Sequence, residues 1–163
     1  MQPAESDPAY WLREQAPKLL AYARQWVDSH ASAEDVFQEA FVKFWRHRDS
    51  AREPLTYLYR CVRNTAMNWR RSRDRRRHHE GRAPAPERRD GPEAAAEQSE
   101  RHSRIRLAVA QLPENQREVV VMKVWGEMTF DQISDVMSIP RSTAHAAYST
   151  AMGALHDRLG RET

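Results

Sequence analysis

Tyr57, Arg60, Arg63, Asn64, Asn68, Arg70 and Arg71 bring an aromatic ring, amides and cations together within a short stretch of chain. That mixture suits unpaired nucleic acid. Arginines neutralise phosphates and release counterions, a ring stacks on a base, and an asparagine hydrogen-bonds a base edge once the base has left the duplex. The basic character deepens further on, where Arg70 to Arg77 read RRSRDRRR, six arginines against one aspartate. A second constellation lies near the C-terminus, in TFDQISDVMSIPRSTAHAAYSTAM. Its spacing is that of a helix-turn-helix: Ile133, Met137, Ile139, Ala144 and Ala147 fall where two short helices pack across a turn. Arg141, Ser142, His145, Ala146 and Ser149 are then left on the outer face of the second helix, where base edges are read. The same apolar spacing also fits an ordinary helical hairpin.

Other chemistries lack the residues they need. Cys61 is the single cysteine, so no intramolecular disulfide or cysteine zinc site can form, and it reads as a small buried residue on a helix. The seven histidines show no HExxH or comparable spacing, so neither a metal nor any other cofactor is expected. GxxxxGK[ST], GxGxxG and GxSxG are all missing from a chain with only five glycines, which leaves catalysis no visible seat. The protein is not expected to be an enzyme.

Positioning these residues falls to helices. The chain has 163 residues, 40% hydrophobic and 30% charged, enough apolar material for packed cores. No run approaches the roughly 18 consecutive apolar residues of a membrane span, and MQPAESDPAYWLREQ lacks an export signal, so a cytoplasmic location is expected. The net charge of +3 is unevenly spread. Beyond the arginine run, Glu87, Asp90, Glu93, Glu97 and Glu100 make a more acidic stretch.

Strand signals are nearly absent, since the β-branched run Val119 to Val121 lies inside a helical pattern, and the fold class is all-α. A first helix is expected over about Pro8 to Ser29, burying Trp11, Leu12, Leu19, Leu20, Ala23, Trp26 and Val27, with Pro17 kinking or dividing it. A second is expected from a capping box at Ser32 to Asp35, with Val36, Phe37, Ala40, Phe41, Phe44 and Trp45 inward. Asp35, Gln38 and Glu39 then share its wet face as an acidic patch, which by itself is also an ordinary solvated surface. After a loop from Asp49 to Pro54, a third helix carries Leu55, Leu58, Tyr59, Val62, Ala66 and Trp69 inward and runs through the arginines to Arg77. Residues 78–102 read as a flexible linker, punctuated by Gly81, Pro84, Pro86, Gly91 and Pro92. Helices resume at about Ser103 to Leu112 and Glu114 to Trp125. A second capping box at Thr129 to Gln132 opens a short helix, and the last helix spans about Pro140 to Leu159. Two small helical domains, 1–77 and 103–163, are therefore expected. Charge and spacing alone leave open an operator-binding regulator that dimerises to read two half-sites, and a protein-interaction adaptor whose basic block is incidental.

Both modules resemble the extracytoplasmic-function sigma factors of bacterial RNA polymerase. AEDVFQEAFVKFWR (Ala33 to Arg46) and PLTYLYRCVRNTAMNWRRSRDRRR (Pro54 to Arg77) look like the family's second conserved region. LAVAQLPENQREVVVMKVWGEMTFDQISDVMSIPRSTA (Leu107 to Ala144) looks like its fourth. The resemblance implies a factor that joins core RNA polymerase through the largest subunit's clamp helices and the flap, directs it to promoters and helps melt the DNA. It carries clamp binding onto Asp35, Gln38, Glu39 and Val42, and capture of a minus-ten base onto Asn64, with the Asp49 to Pro54 loop as pocket rim. It implies minus-thirty-five reading by the outer face of the last helix, a connector whose acidic residues mimic nucleic acid in the RNA channel, and control by an anti-sigma factor. Several positions depart from the family pattern. Pro54 and Tyr57 stand where Phe and Trp are usual, Ser134 and Ser138 replace the usual Ala and Gly, and His145 is the only titratable base between Thr143 and His156.

Overall fold

The computed structural model of the chain describes residues 6–81 and 98–161. Its elements are α1 (Pro8–Ala23), α2 (His30–His47), a 3-10 turn (Arg48–Ser50), α3 (Pro54–Glu80), α4 (Gln98–Ala110), α5 (Glu114–Val120), a π-helical turn (Val121–Trp125), α6 (Phe130–Met137) and α7 (Arg141–Gly160). Among the described residues there is no strand. The chain divides into two compact units, Met1–Asp90 and Gly91–Thr163.

In the first unit α2 packs on both α1 and α3, and α1 also meets α3. Asp7 caps α1 by accepting from the Ala9 amide at 3.0 Å, with Pro8 at a first-turn position that needs no donor. The helix runs through Pro17 unbroken and ends at Ala23, short of the Ser29 expected. Trp26 and Val27 are nonetheless buried, in the turn that follows, whereas Leu12 is exposed. The start of α2 also differs from expectation. Its N-cap is Ser29, whose Oγ accepts from the Ser32 amide at 3.1 Å; Ser32 lies in the first turn and caps nothing. Ser29→Ala is therefore expected to cost about 1 kcal/mol of stability in a urea titration, and Ser32→Ala about half that or less.

The apolar stripe of α2 is inward as its period dictates: Val36, Phe37, Ala40 and Phe44 are buried, with Phe41 and Trp45 half-buried. From α3 come Leu58, Tyr59, Val62 and Ala66, while Leu55 and Trp69 are only half-buried. Aromatic edges lock the three helices: Trp11 meets Phe44 at 5.2 Å and Tyr22 meets Tyr59 at 5.1 Å between ring centroids. Instead of ending at Arg77, α3 continues through His78 and His79 to Glu80, where Gly81 at φ 61° turns the chain left-handed and returns its amide to the Arg77 carbonyl. The linker thus starts later than its composition indicates. Most of it, including the acidic residues Glu87, Asp90, Glu93 and Glu97, lies outside the described residues. At its far side α4 begins at Gln98, ahead of the Ser103 expected.

In the second unit α7 packs against α4, α5 and α6. Arg117 and Arg158 tie the unit to α4 by donating to the Ala110 and Ala108 carbonyls at 3.1 and 3.2 Å. The helix expected over Glu114 to Trp125 widens after Val120, where the Gly126 amide bonds the Val121 carbonyl five residues back. The capping box of α6 is present in full: the Gln132 amide donates to Thr129 Oγ1 at 3.2 Å, and the Thr129 amide to Gln132 Oε1 at 2.9 Å. Ser134 and Ser138 have structural work in the turn between α6 and α7. Ser138 takes the left-handed position at φ 54°, and the Ser134 hydroxyl donates across the turn to the Ile139 carbonyl.

Candidate nucleic-acid interface

The stripe of α2 faces the core, so its other side must face water. Asp35, Gln38, Glu39 and Val42 are all exposed, and Val42 retains 51% of its surface, an unusual placement for valine. The patch is not purely acidic. Glu39 Oε1 lies 3.5 Å from Lys43 Nζ, and Glu39 Oε2 accepts from the Trp69 indole of α3 at 3.0 Å. Glu39 therefore also braces two helices, while Asp35 and Gln38 point outward without that duty.

On α3, Arg60, Asn64, Asn68 and Arg71 are exposed and recur every three or four residues. They form one line along the helix, opposite Val62 and Ala66. Within the line, Arg71 donates to Asn68 Oδ1 at 2.9 Å, which holds both side chains in register. Arg63 and Arg70 are half-buried on the flanks and carry interactions of their own. Tyr57 is also half-buried. Its ring packs on Phe44 with centroids 6.0 Å apart. Burial raises the pKa of Tyr57, and it raises that of buried Cys61 as well.

The turn preceding α3 is more ordered than a polar loop has to be. The Arg48 guanidinium lies 3.5 Å over the Trp45 ring and also donates to the Trp45 carbonyl. Ser50 Oγ donates to the His47 carbonyl at 2.9 Å, and Thr56 Oγ1 to Glu53 Oε2 at 3.0 Å. Ring and guanidinium stand three residues apart at one helix end, a spacing that places them in reach of each other.

On α7, Arg141, Ser142, His145, Ala146 and Ser149 are all exposed, while Ala144 is buried and Ala147 half-buried. Arg141 Nε sits 3.2 Å from Asp131 Oδ1 of α6, a pair with both members largely in water. His145 packs edge-on against Phe130 at 5.0 Å, Tyr148 meets the same ring at 5.6 Å, and Lys123 Nζ lies 4.6 Å from its centroid. Lys123 also donates to the Met128 carbonyl at 3.2 Å. The π-helical turn thus places a cation beside the Phe130 ring that His145 and Tyr148 of α7 also meet. Among the described residues no group of His, Cys, Asp or Glu is placed to hold a metal ion, and no helix is long and apolar enough to cross a membrane.

Residues 11–76 match the family Sigma-70 region 2, and residues 102–155 match Sigma-70, region 4. The chain belongs to the sigma-70 family as an extracytoplasmic-function sigma factor, a non-enzymatic factor that directs RNA polymerase to promoters. Among its relatives, the RNA polymerase sigma-H factor of Pseudomonas aeruginosa is 28% identical over 156 residues, covering 87% of this chain and 80% of that one. The RNA polymerase sigma-E factor of Streptomyces coelicolor is 24% identical over 153 residues, covering 91% and 84%. Two solved structures share the fold. One is the sigma factor RpoE in complex with the anti-sigma factor NepR from Bartonella quintana, with TM-score 0.70 and 22% identity over 91% of this chain and 94% of that one. The other is CnrH in complex with the cytosolic domain of CnrY, with TM-score 0.65 and 18% identity over 98% and 94%.

Proposed function

We propose that the two helical modules divide the work of a sigma factor, residues 1–77 engaging core polymerase and the minus-ten element and residues 103–163 the minus-thirty-five element, with 78–102 as connector. The observation that carries this reading is the exposed line Arg60, Asn64, Asn68 and Arg71 on α3, with amides and cations side by side. Amides read base edges; cations hold phosphates. Asn64 takes the captured minus-ten base, with the Asp49 to Pro54 loop as the rim of its pocket. The arginines hold the strand, and Tyr57 supports the site from its seat against Phe44. Melting follows from preferential binding of the unpaired strand.

Asp35, Gln38, Glu39 and Val42 dock on the clamp helices of the largest polymerase subunit, with the flap engaging the second unit. On α7, Arg141, Ser142, His145, Ala146 and Ser149 face the minus-thirty-five element, and Lys123 adds a phosphate contact. One solved neighbour is in complex with an anti-sigma factor and the other with the cytosolic domain of CnrY, which supports an anti-sigma factor as the partner that controls this chain in the cytoplasm.

Asn64→Ala tests the reading directly. It is expected to cost about 1–3 kcal/mol of discrimination at one minus-ten position, read as a loss of base preference in open-complex formation. Arg71→Ala weakens binding on all sequences alike. Full activity of Asn64→Ala with unchanged preference at every minus-ten position removes the base-capture assignment.

A further inference from the structure

The last buried residue of α3 is Ala66, yet the helix continues to Glu80 through the arginine run. Arginines three and four residues apart on one helix repel, so this end gains little from local charge. What meets it is Asp28, in the turn between α1 and α2. Arg73 Nη1 donates to Asp28 Oδ1, and Arg77 Nη2 to Asp28 Oδ2 at 3.2 Å, so each carboxylate oxygen is taken by one guanidinium. Arg73 and Arg77 lie one turn apart on the inward side, and their side chains keep only 29% and 22% of their surface. Arg71, Arg75 and His78 stand on the opposite side and are exposed, extending the line of Asn64 and Asn68 toward the end of the helix.

We propose that Asp28 sorts the arginine run, withholding Arg73 and Arg77 from nucleic acid and leaving the exposed Arg71, Arg75 and Arg76 as the phosphate contacts of the distal helix. Asp28 thereby caps the sequence-independent affinity of the factor for DNA. A full set of free arginines would bind any duplex, and the share of affinity that distinguishes a promoter would shrink. Asp28 is a positioning residue, acting through the two arginines it holds. The proposal rests on the reading of α3 as the DNA-facing helix.

The test uses the full-length chain and a fluorescein-labelled mixed-sequence DNA duplex, with affinity measured across a series of KCl concentrations. Arg71→Gln and Arg75→Gln are each expected to lower the slope of log affinity against log salt by about 0.9, one phosphate contact apiece. Arg73→Gln and Arg77→Gln are expected to leave the slope as it is. Asp28→Asn, which frees Arg77 and leaves Arg73 only its 3.8 Å contact with the exposed Asp74, raises it by up to about 2, and Asp28→Glu returns it toward the wild-type value. A change confined to thermal stability, with the slope of Asp28→Asn unmoved, overturns the proposal, as does a slope lost equally in Arg73→Gln and Arg75→Gln. Should Asp28→Asn lose its helical circular dichroism, the glutamine variants decide the matter. A slope unmoved by Arg71→Gln and Arg75→Gln as well is a different result, and it removes the DNA-facing assignment of α3 itself.

Discussion

Asp35→Arg combined with Gln38→Arg is expected to weaken association with core RNA polymerase by about 3 kcal/mol or more, over a hundredfold in Kd. Both side chains are exposed on α2 and face away from Val36, Phe37 and Ala40, so helix content and thermal stability are expected to stay close to wild type. Reversing charge at the rim of a docking face places cations where the partner expects an anion and an amide, and such like-charge juxtaposition costs several kcal/mol. Glu39 is left alone because its carboxylate also holds the Trp69 indole and lies beside Lys43. A Glu39 variant would mix lost docking with a loosened α2 to α3 contact. Unchanged capture of the double variant by immobilised core enzyme takes the docking role away from this face.

The second large effect is on stability. Phe44 is fully buried and meets Trp11, Phe41, Trp45 and Tyr57, so it joins α1, the end of α2 and the start of α3. Phe44→Ala leaves a cavity among aromatic rings that cannot close on themselves, at a cost of about 3–5 kcal/mol. Small domains hold a total of about 5–15 kcal/mol, so a fifth or more of the stability of the first unit goes with it. Trp11, Trp26, Trp45 and Trp69 all lie in that unit, so urea titration followed by tryptophan fluorescence reports the loss directly. Loss of less than about 1 kcal/mol would mean that the ring is not the keystone its contacts make it.

How far the sequence revealed this molecule depended on how local each signal was. The inward stripe of α2 follows from a 3.6-residue period, and the capping box at Thr129 and Gln132 is a four-residue pattern completed within itself. Both were legible. The start of α2 was not, because Ser29 and Ser32 are equally good cap residues and only the path of the chain out of α1 selects between them. The length of α3 was underestimated because HHE lacks apolar periodicity. Its tie, Asp28, stands 45 residues from Arg73 and 49 from Arg77. The widening at Val121 was hidden inside VVVMKVW, whose composition reads as uninterrupted helix. Lys123 was missed for that reason: its place over Phe130 depends on a bulge that no propensity announces.

The candidate surfaces followed the same division. Exposure of Asp35, Gln38, Asn64, Arg141 and Ser149 follows from helical phase, and the structure places all of them in water. The partners they make across elements, Arg141 with Asp131 and His145 with Phe130, required the tertiary fold. Helical phase does not say what each face meets; that assignment is a proposal resting on the resemblance to sigma factors.

Run-off transcription from a library of genomic fragments, with core RNA polymerase and this chain added, tests the central claim most directly. Wild-type protein is expected to produce a small set of start sites sharing a minus-ten and a minus-thirty-five sequence, absent with core enzyme alone. Asn64→Ala is expected to relax one minus-ten position within that set, and Asp35→Arg with Gln38→Arg to abolish the set. Transcripts no different from core enzyme alone, or a wild-type set of starts from the double variant, would contradict the account.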